Sequence, residues 1–191
     1  MSRGASPFVT TSMRVLREQE DFWNGLLQSG LHELIRYSFA LGFFPFAGYL
    51  FSYTVRGTIW NVWPFIQTTL DVGSSLVFAG MQWILFGIFP VLSSLLLEIV
   101  FARSKQPVDF EQLLTISTYS MTPLSLAGLF VGVPYLDRIC TTLGFAAFLF
   151  LLYYGFRYAL NFTVVRSACN TFFFVVVFAL IRQMFVFAIG Y

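Results

Sequence analysis

Five stretches of this chain run without a single Asp, Glu, Lys or Arg for lengths that a soluble domain rarely tolerates. They are Tyr37–Val55, Val72–Leu97, Gln112–Leu136, Ile139–Phe156 and Ser167–Ile181, of 19, 26, 25, 18 and 15 residues. A helix needs about 20 mostly apolar residues to cross a bilayer. Four runs can therefore span alone. The fifth becomes long enough if it crosses Arg182 and continues to about Ala188, because an arginine near a helix end can reach the interface. Backbone groups in lipid must be satisfied within their own segment, which leaves helices or closed barrels. Barrel strands alternate apolar and polar residues, whereas Phe172–Leu180 is apolar throughout. The reading is an all-α polytopic membrane protein, a bundle of five transmembrane helices.

Composition narrows the organisation further. Hydrophobic residues make up 58% of the 191 and charged ones 10%, against about 25% charge in soluble domains. An aromatic share of 20% also argues against disorder. Five spans take up about 105 residues, so no second domain fits. The chain divides into an N-terminal segment, residues 1–34, and a membrane domain, residues 35–191.

Lys and Arg set the orientation, since short cytoplasmic loops hold the excess. One side gathers Arg3, Arg14, Arg17, Arg36, Arg103, Lys105, Arg157 and Arg166; the other has Arg56, Arg138 and Arg182. The N-terminus is thus expected to be cytoplasmic and the C-terminus exoplasmic. The N-terminal segment lacks the apolar core of a cleaved signal peptide and is expected to belong to the mature protein. From Met13 to Ile35 apolar residues recur every three to four positions among Arg14, Arg17, Glu18, Glu20 and Asp21. That pattern predicts an amphipathic helix, either docking a partner or lying in the headgroup layer with Phe22 and Trp23 at headgroup level.

The residues that would support catalysis are few. His32, beside Glu33, is the one histidine, and neighbouring helix residues point in different directions. No phosphate-loop, nucleophile-elbow or H-E-x-x-H pattern occurs, and no basic aromatic patch suggests nucleic acid. Cys140 and Cys169 fall on opposite membrane faces and form no C-x-x-C, so neither a disulfide, a metal site nor a cofactor is expected.

Polar and helix-breaking residues inside the spans are costly in lipid and so mark candidate sites. The third span reads Thr115-Ile116-Ser117-Thr118-Tyr119-Ser120-Met121-Thr122-Pro123-Leu124. Pro123 frees the carbonyl of Tyr119 and should kink the helix, and neighbouring hydroxyls can satisfy the opened backbone. Tyr119, Ser120, Thr122 and Pro123 form either a solute or ion pathway or a structural kink. In the second span, Pro90 precedes Ser93, Ser94 and Glu98. Glu98 is either a proton-carrying or partner-binding acid, or an interfacial group pairing with Arg103 or Lys105. The first span carries Pro45. Gly128 and Gly132 in the third span, and Gly73, Gly80 and Gly87 in the second, suggest close packing of those two spans. Phe145, Phe148, Phe150, Phe172, Phe173, Phe174 and Phe178 of the fourth and fifth spans read as mainly lipid-facing.

The order of these features resembles the Yip1 domain family. The resemblance rests on Thr118-Tyr119-Ser120-Met121-Thr122-Pro123-Leu124, then Leu129 and Pro134, and on the fourth-span run Leu149-Phe150-Leu151-Leu152-Tyr153-Tyr154-Gly155. It covers residues 35 to 190, most specifically Tyr119 to Gly155. Eukaryotic members of that family act in vesicle trafficking and bind prenylated small GTPases and membrane proteins, while prokaryotic members are inner-membrane proteins. Residues 1–34 lack the eukaryotic acidic-aromatic-glycine-proline motif, which speaks against GTPase binding. The resemblance thus implies a prokaryotic-type protein of the bacterial inner membrane, or of the ER or Golgi if eukaryotic. The expected function is a non-enzymatic scaffold or adaptor, touching lipid and other membrane proteins or a second copy of itself. The alternative is a small transporter or channel for an ion, solute or lipid.

Overall fold

The structure is a computed structural model that describes Trp23 and residues 30–56, 59–60, 67–68, 72–101, 108–133 and 135–188. Each uncharged run is mostly helix, the third leaving it at Val131–Val133. In chain order these are α1 (Leu31–Arg56), α2 (Val72–Phe101), α3 (Phe110–Ser120), α4 (Thr122–Ala127), α5 (Leu136–Tyr154) and α6 (Val164–Ala188). Helix α4 runs into a 3-10 turn at Gly128–Phe130, and α5 into a π-helical turn at Gly155–Ala159. Five helical stretches are long and apolar enough to cross a bilayer: Leu31–Ser52, Leu76–Phe101, Phe110–Phe130, Leu136–Ala159 and Val164–Met184. A ribbon of two residues per strand, Ile59–Trp60 against Gln67–Thr68, lies between the first and second spans.

The first span starts six residues before its uncharged run. Gly30 anchors the start: its carbonyl accepts from Glu33 N–H at 2.9 Å and Leu34 N–H at 3.2 Å. Leu31–Ile35 therefore belongs to the spanning helix rather than to a separate surface helix. The remainder of the amphipathic stretch, Phe22 included, lies outside the described residues, apart from Trp23. For Trp23 the headgroup expectation is corrected. Its side chain is wholly buried in the main core, and its ring edge is 3.4 Å from where a Cβ on Gly155 would stand. A glycine opening the π-turn leaves a slot that an indole fills better than headgroups would.

The fifth span continues through Arg182 as expected, and the arginine stands near Tyr49 of α1. At the same end, Asp137 accepts from Gly132 N–H at 3.2 Å and from the Thr141 hydroxyl at 3.1 Å.

The first span packs along the second and against the third, and the fourth closes over α4. The phenylalanine assignment is partly corrected. Phe89 of α2, Phe148 of α5 and Phe174 and Phe178 of α6 are buried together. Phe89 meets Phe178 and Phe174 edge-on at centroid distances of 4.6 and 5.4 Å. Phe172 and Phe150 do face outward, at 72% and 47% exposure. Edge-to-face contacts stabilise aromatic pairs beyond the area they cover, so large rings pack these spans where small residues do not.

Candidate intramembrane polar site

Three spans contain an internal proline, and the site is built from the consequences. A proline at position i cannot donate to the carbonyl at i−4 and pushes against it. Pro45, Pro90 and Pro123 therefore free the carbonyls of Leu41, Phe86 and Tyr119. Two of these are recovered by hydroxyls from other spans. Ser125 of α4 donates to the Leu41 carbonyl. Ser38 of α1 donates toward the Phe86 carbonyl at 3.4 Å and the adjacent Gly87 carbonyl at 3.2 Å. Both of these proline-opened turns thus become cross-links between helices.

The Pro90 carbonyl is the hub of a second group. It accepts from Ser94 at 2.6 Å, from Ser93 at 3.1 Å and, across the helix interface, from Ser117 of α3 at 3.3 Å. Ser94 and Ser117 share a further hydrogen bond of 2.9 Å. All three serines are buried.

Pro123 behaves differently. The third span breaks at Met121, between α3 and α4, with Pro123 in the first turn of α4, so the kink forms where the sequence places it. Here the Thr122 hydroxyl is used across the bundle. Thr122 bonds the Tyr37 hydroxyl of α1 at 3.0 Å, and Tyr119 lays its ring on Tyr37 at 4.8 Å. Ser120 and its neighbour Thr118 are fully buried, and their hydroxyls have no hydrogen-bond partner among the described residues.

Glu98 stands one turn beyond Ser94, half-buried, and enters no hydrogen bond of this network. Arg103 and Lys105, its expected partners, lie outside the described residues, as does Pro134.

The glycines take different partners from the expected seam between the second and third spans. Gly128 faces the first span: a Cβ there would lie 2.8 Å from the Pro45 side chain. Gly48 of α1 faces Gly128 in return, with 1.9 Å between its would-be Cβ and the Gly128 carbonyl oxygen. Gly132 lies beyond the helix at φ +78°, pressed against Ser52, so it serves a turn that only glycine adopts freely. Gly87 receives the Phe39 ring, and Gly80 has nothing within 4 Å. Gly73 is exposed. The physical reason is fit: the third span sets Gly128 against the Pro45 side chain of α1, where a Cβ has no room, while the Ser94–Ser117 hydrogen bond joins the span to α2.

Sequence reasoning missed Tyr37, Ser38 and Ser125 as members of this site, and Gly42 and Gly48 as close-approach positions. A usable signal existed. Each proline in lipid creates a carbonyl needing a donor, so every serine in a neighbouring span was a candidate partner.

Chemically, the site holds hydroxyls, phenols and carbonyls. No three His, Cys, Asp or Glu side chains come together among the described residues, and Cys140 and Cys169 are free thiols. The family model described as Yip1 domain matches residues 13–185 of the chain. No curated protein and no solved structure matches it.

Proposed function

Because the chain belongs to the Yip1 domain family, we propose that this integral membrane protein works as a non-enzymatic scaffold or adaptor. In this reading it organises other membrane proteins, or copies of itself, in a bacterial cytoplasmic membrane with its N-terminus inside. The observation that supports it is the use of the intramembrane hydroxyls. Ser38, Ser93, Ser94, Ser117, Thr122 and Ser125 bond carbonyls or hydroxyls of the bundle. Polar groups consumed in this way hold helices together, a role worth about 0.6 kcal/mol per interhelical bond, and leave few donors for a passing solute. The Lys and Arg asymmetry supports the orientation.

A second reading, a pathway for an ion or small solute, draws on the unpartnered Thr118 and Ser120 hydroxyls beside the break at Met121. Broken helices line the binding sites of many transporters. Water access decides between the two. In a background with Cys140→Ser and Cys169→Ser, single cysteines at Ser117, Thr118 and Ser120 are exposed to a membrane-impermeant thiol reagent in sealed vesicles and in open membranes. A scaffold leaves all three unlabelled under both conditions. Rapid labelling of Thr118→Cys and Ser120→Cys from either side would replace the scaffold by the pathway.

A further inference from the structure

Trp23 precedes the first span, yet its side chain is wholly buried in the main core. The scaffold reading gives this contact no role. The place where the indole is buried is defined by a missing side chain. Gly155 opens the π-turn after α5, and a Cβ there would lie 2.7 Å from Cγ2 of Ile116 in α3 and 3.4 Å from Cη2 of Trp23. Ile116 is itself buried, as is Gly155. The indole edge and the Ile116 side chain thus meet over the bare face of the glycine, and a larger residue at 155 would take the space they share. The slot is built by the third and fourth spans and filled from the N-terminal segment.

The slot stands at one membrane surface. Helix α5 has 19 residues, about 28 Å at 1.5 Å per residue, close to the thickness of a bilayer core. The π-turn that follows therefore marks the end of a crossing. Tyr154 and Tyr158 mark the same level, stacked at 5.3 Å, and tyrosines gather where one end of the ring is apolar and the other wet. Four crossings return the chain to the side where α1 begins, so the slot and the N-terminal segment share a surface. By the Lys and Arg count it is the cytoplasmic one. Ile116 comes six residues after Phe110, the first of α3, and so lies about 9 Å along that helix.

This location decides how firmly the indole is held. A core tryptophan that leaves its site in a soluble protein enters water. One that leaves a slot at a bilayer surface enters the interfacial region, which receives tryptophan well, so docked and undocked arrangements differ by much less. The tether makes return easy. Gly30, which anchors the start of α1, is seven positions from Trp23, a reach of at most about 25 Å, and a tether this short keeps the effective concentration in the millimolar range. A π-helical turn is a rare element found mostly at functional positions, and here it presents the glycine that the indole needs.

We propose that Trp23 is a releasable latch. Docked in cis, it fills the slot between Ile116 and Gly155; undocked, it leaves a site for one aromatic side chain of a membrane-proximal segment. The N-terminal segment thereby regulates access to the surface ends of the third and fourth spans. This goes beyond the scaffold reading and does not require it.

The test reads the slot from its wall. The full chain, with Cys140→Ser and Cys169→Ser, carries Ile116→Cys in phosphatidylcholine nanodiscs open on both faces, and is treated with an impermeant maleimide. A latch open about 0.1–10% of the time limits labelling to that fraction, so adding Trp23→Ala is expected to speed it about ten- to a thousandfold. Leu114→Cys, two residues away and wholly buried, is the control and stays slow with or without Trp23. Trp23→Phe keeps the slow rate at Ile116→Cys. Free indole at millimolar concentration slows the Trp23→Ala protein again by filling the slot, as small aromatics fill engineered apolar cavities. Four results overturn the proposal. The first is an unchanged rate in Trp23→Ala, and the second an equal acceleration of Leu114→Cys, which would make Trp23 an ordinary core residue whose loss loosens the bundle. The third is no slowing by either Phe or indole. The fourth is a rate that rises when the protein with Trp23 intact is diluted in mild detergent, which would assign the slot to a second copy's indole. The water-access test at Ser117, Thr118 and Ser120 keeps Trp23 in place, so either proposal can fail alone.

Discussion

A methyl group added at Gly48 has nowhere to go. Its carbon would stand 1.9 Å from the carbonyl oxygen of Gly128, 3.0 Å from the carbonyl carbon of Gly128 and 3.2 Å from that of Leu129. All three obstacles are backbone, so no side chain can rotate away. Restoring an ordinary contact of about 3.4 Å requires the first and third spans to part by roughly 1.5 Å, and overpacking of this kind costs about 1–3 kcal/mol. Separation also strains the bond from Ser125 to the Leu41 carbonyl, which joins the same two spans. Against this, alanine is a better helix former than glycine by about 1 kcal/mol. The net expectation for Gly48→Ala is a loss of about 1–2 kcal/mol, a factor of about 5–30 in the ratio of folded to unfolded protein. Gly80→Ala is the internal control, because nothing stands within 4 Å of its Cβ position. It should be neutral or slightly stabilising. Both variants, titrated from mild detergent into dodecyl sulfate and followed by tryptophan fluorescence, should separate by about 1–3 kcal/mol in unfolding free energy, since the gain in helix propensity is common to both. Midpoints that coincide would refute the close approach of Gly48 to Gly128 and the span arrangement built on it.

Other outcomes follow from the same geometry. Ser125→Ala should cost about 0.6–1.7 kcal/mol by leaving the Leu41 carbonyl without its donor. Pro45→Ala should recover much of that loss in the double variant, because an alanine N–H at position 45 can serve the same carbonyl; additive effects in a double-mutant cycle would count against the cross-link. Phe174→Ala, which opens a hole beside Phe89 and Phe148, should destabilise the bundle by at least about 1 kcal/mol more than Phe172→Ala at the lipid face, measured by the same titration. Gly155→Ala would place a methyl 2.7 Å from the Ile116 side chain and 3.4 Å from the Trp23 ring; a red shift of Trp23 emission, with the other tryptophans replaced by Phe, is expected as the indole leaves its slot. For orientation, Tyr135→Cys should react with an impermeant reagent from outside the cell and Val165→Cys only after the membrane is opened, both in a background without Cys140 and Cys169; the reverse pattern would invert the topology.

What the sequence determines by itself is the solvent and the number of crossings. Both depend on local quantities, the length of uncharged runs and the rule that backbone in lipid bonds within its own segment. The position of the break near Pro123 is equally local, since a missing N–H acts within one turn. The fifth span crossed Arg182 for the same reason, as helix length outweighs one charge near its end.

Partners across the bundle are another matter, and only the tertiary structure decides them. Ser125 serves a carbonyl 84 positions away in the chain, and Ser38 one 49 positions away. Which hydroxyl reaches which opened turn depends on how the helices rotate and cross. The phenylalanines show the underlying difficulty most clearly. Phe172 and Phe174 are two residues apart, yet the first is 72% exposed and the second wholly buried. In water, a hydrophobic face points inward and its periodicity is readable. In a bilayer the lipid is as apolar as the core, so no transfer free energy sorts one phenylalanine from the other, and close packing alone makes the choice.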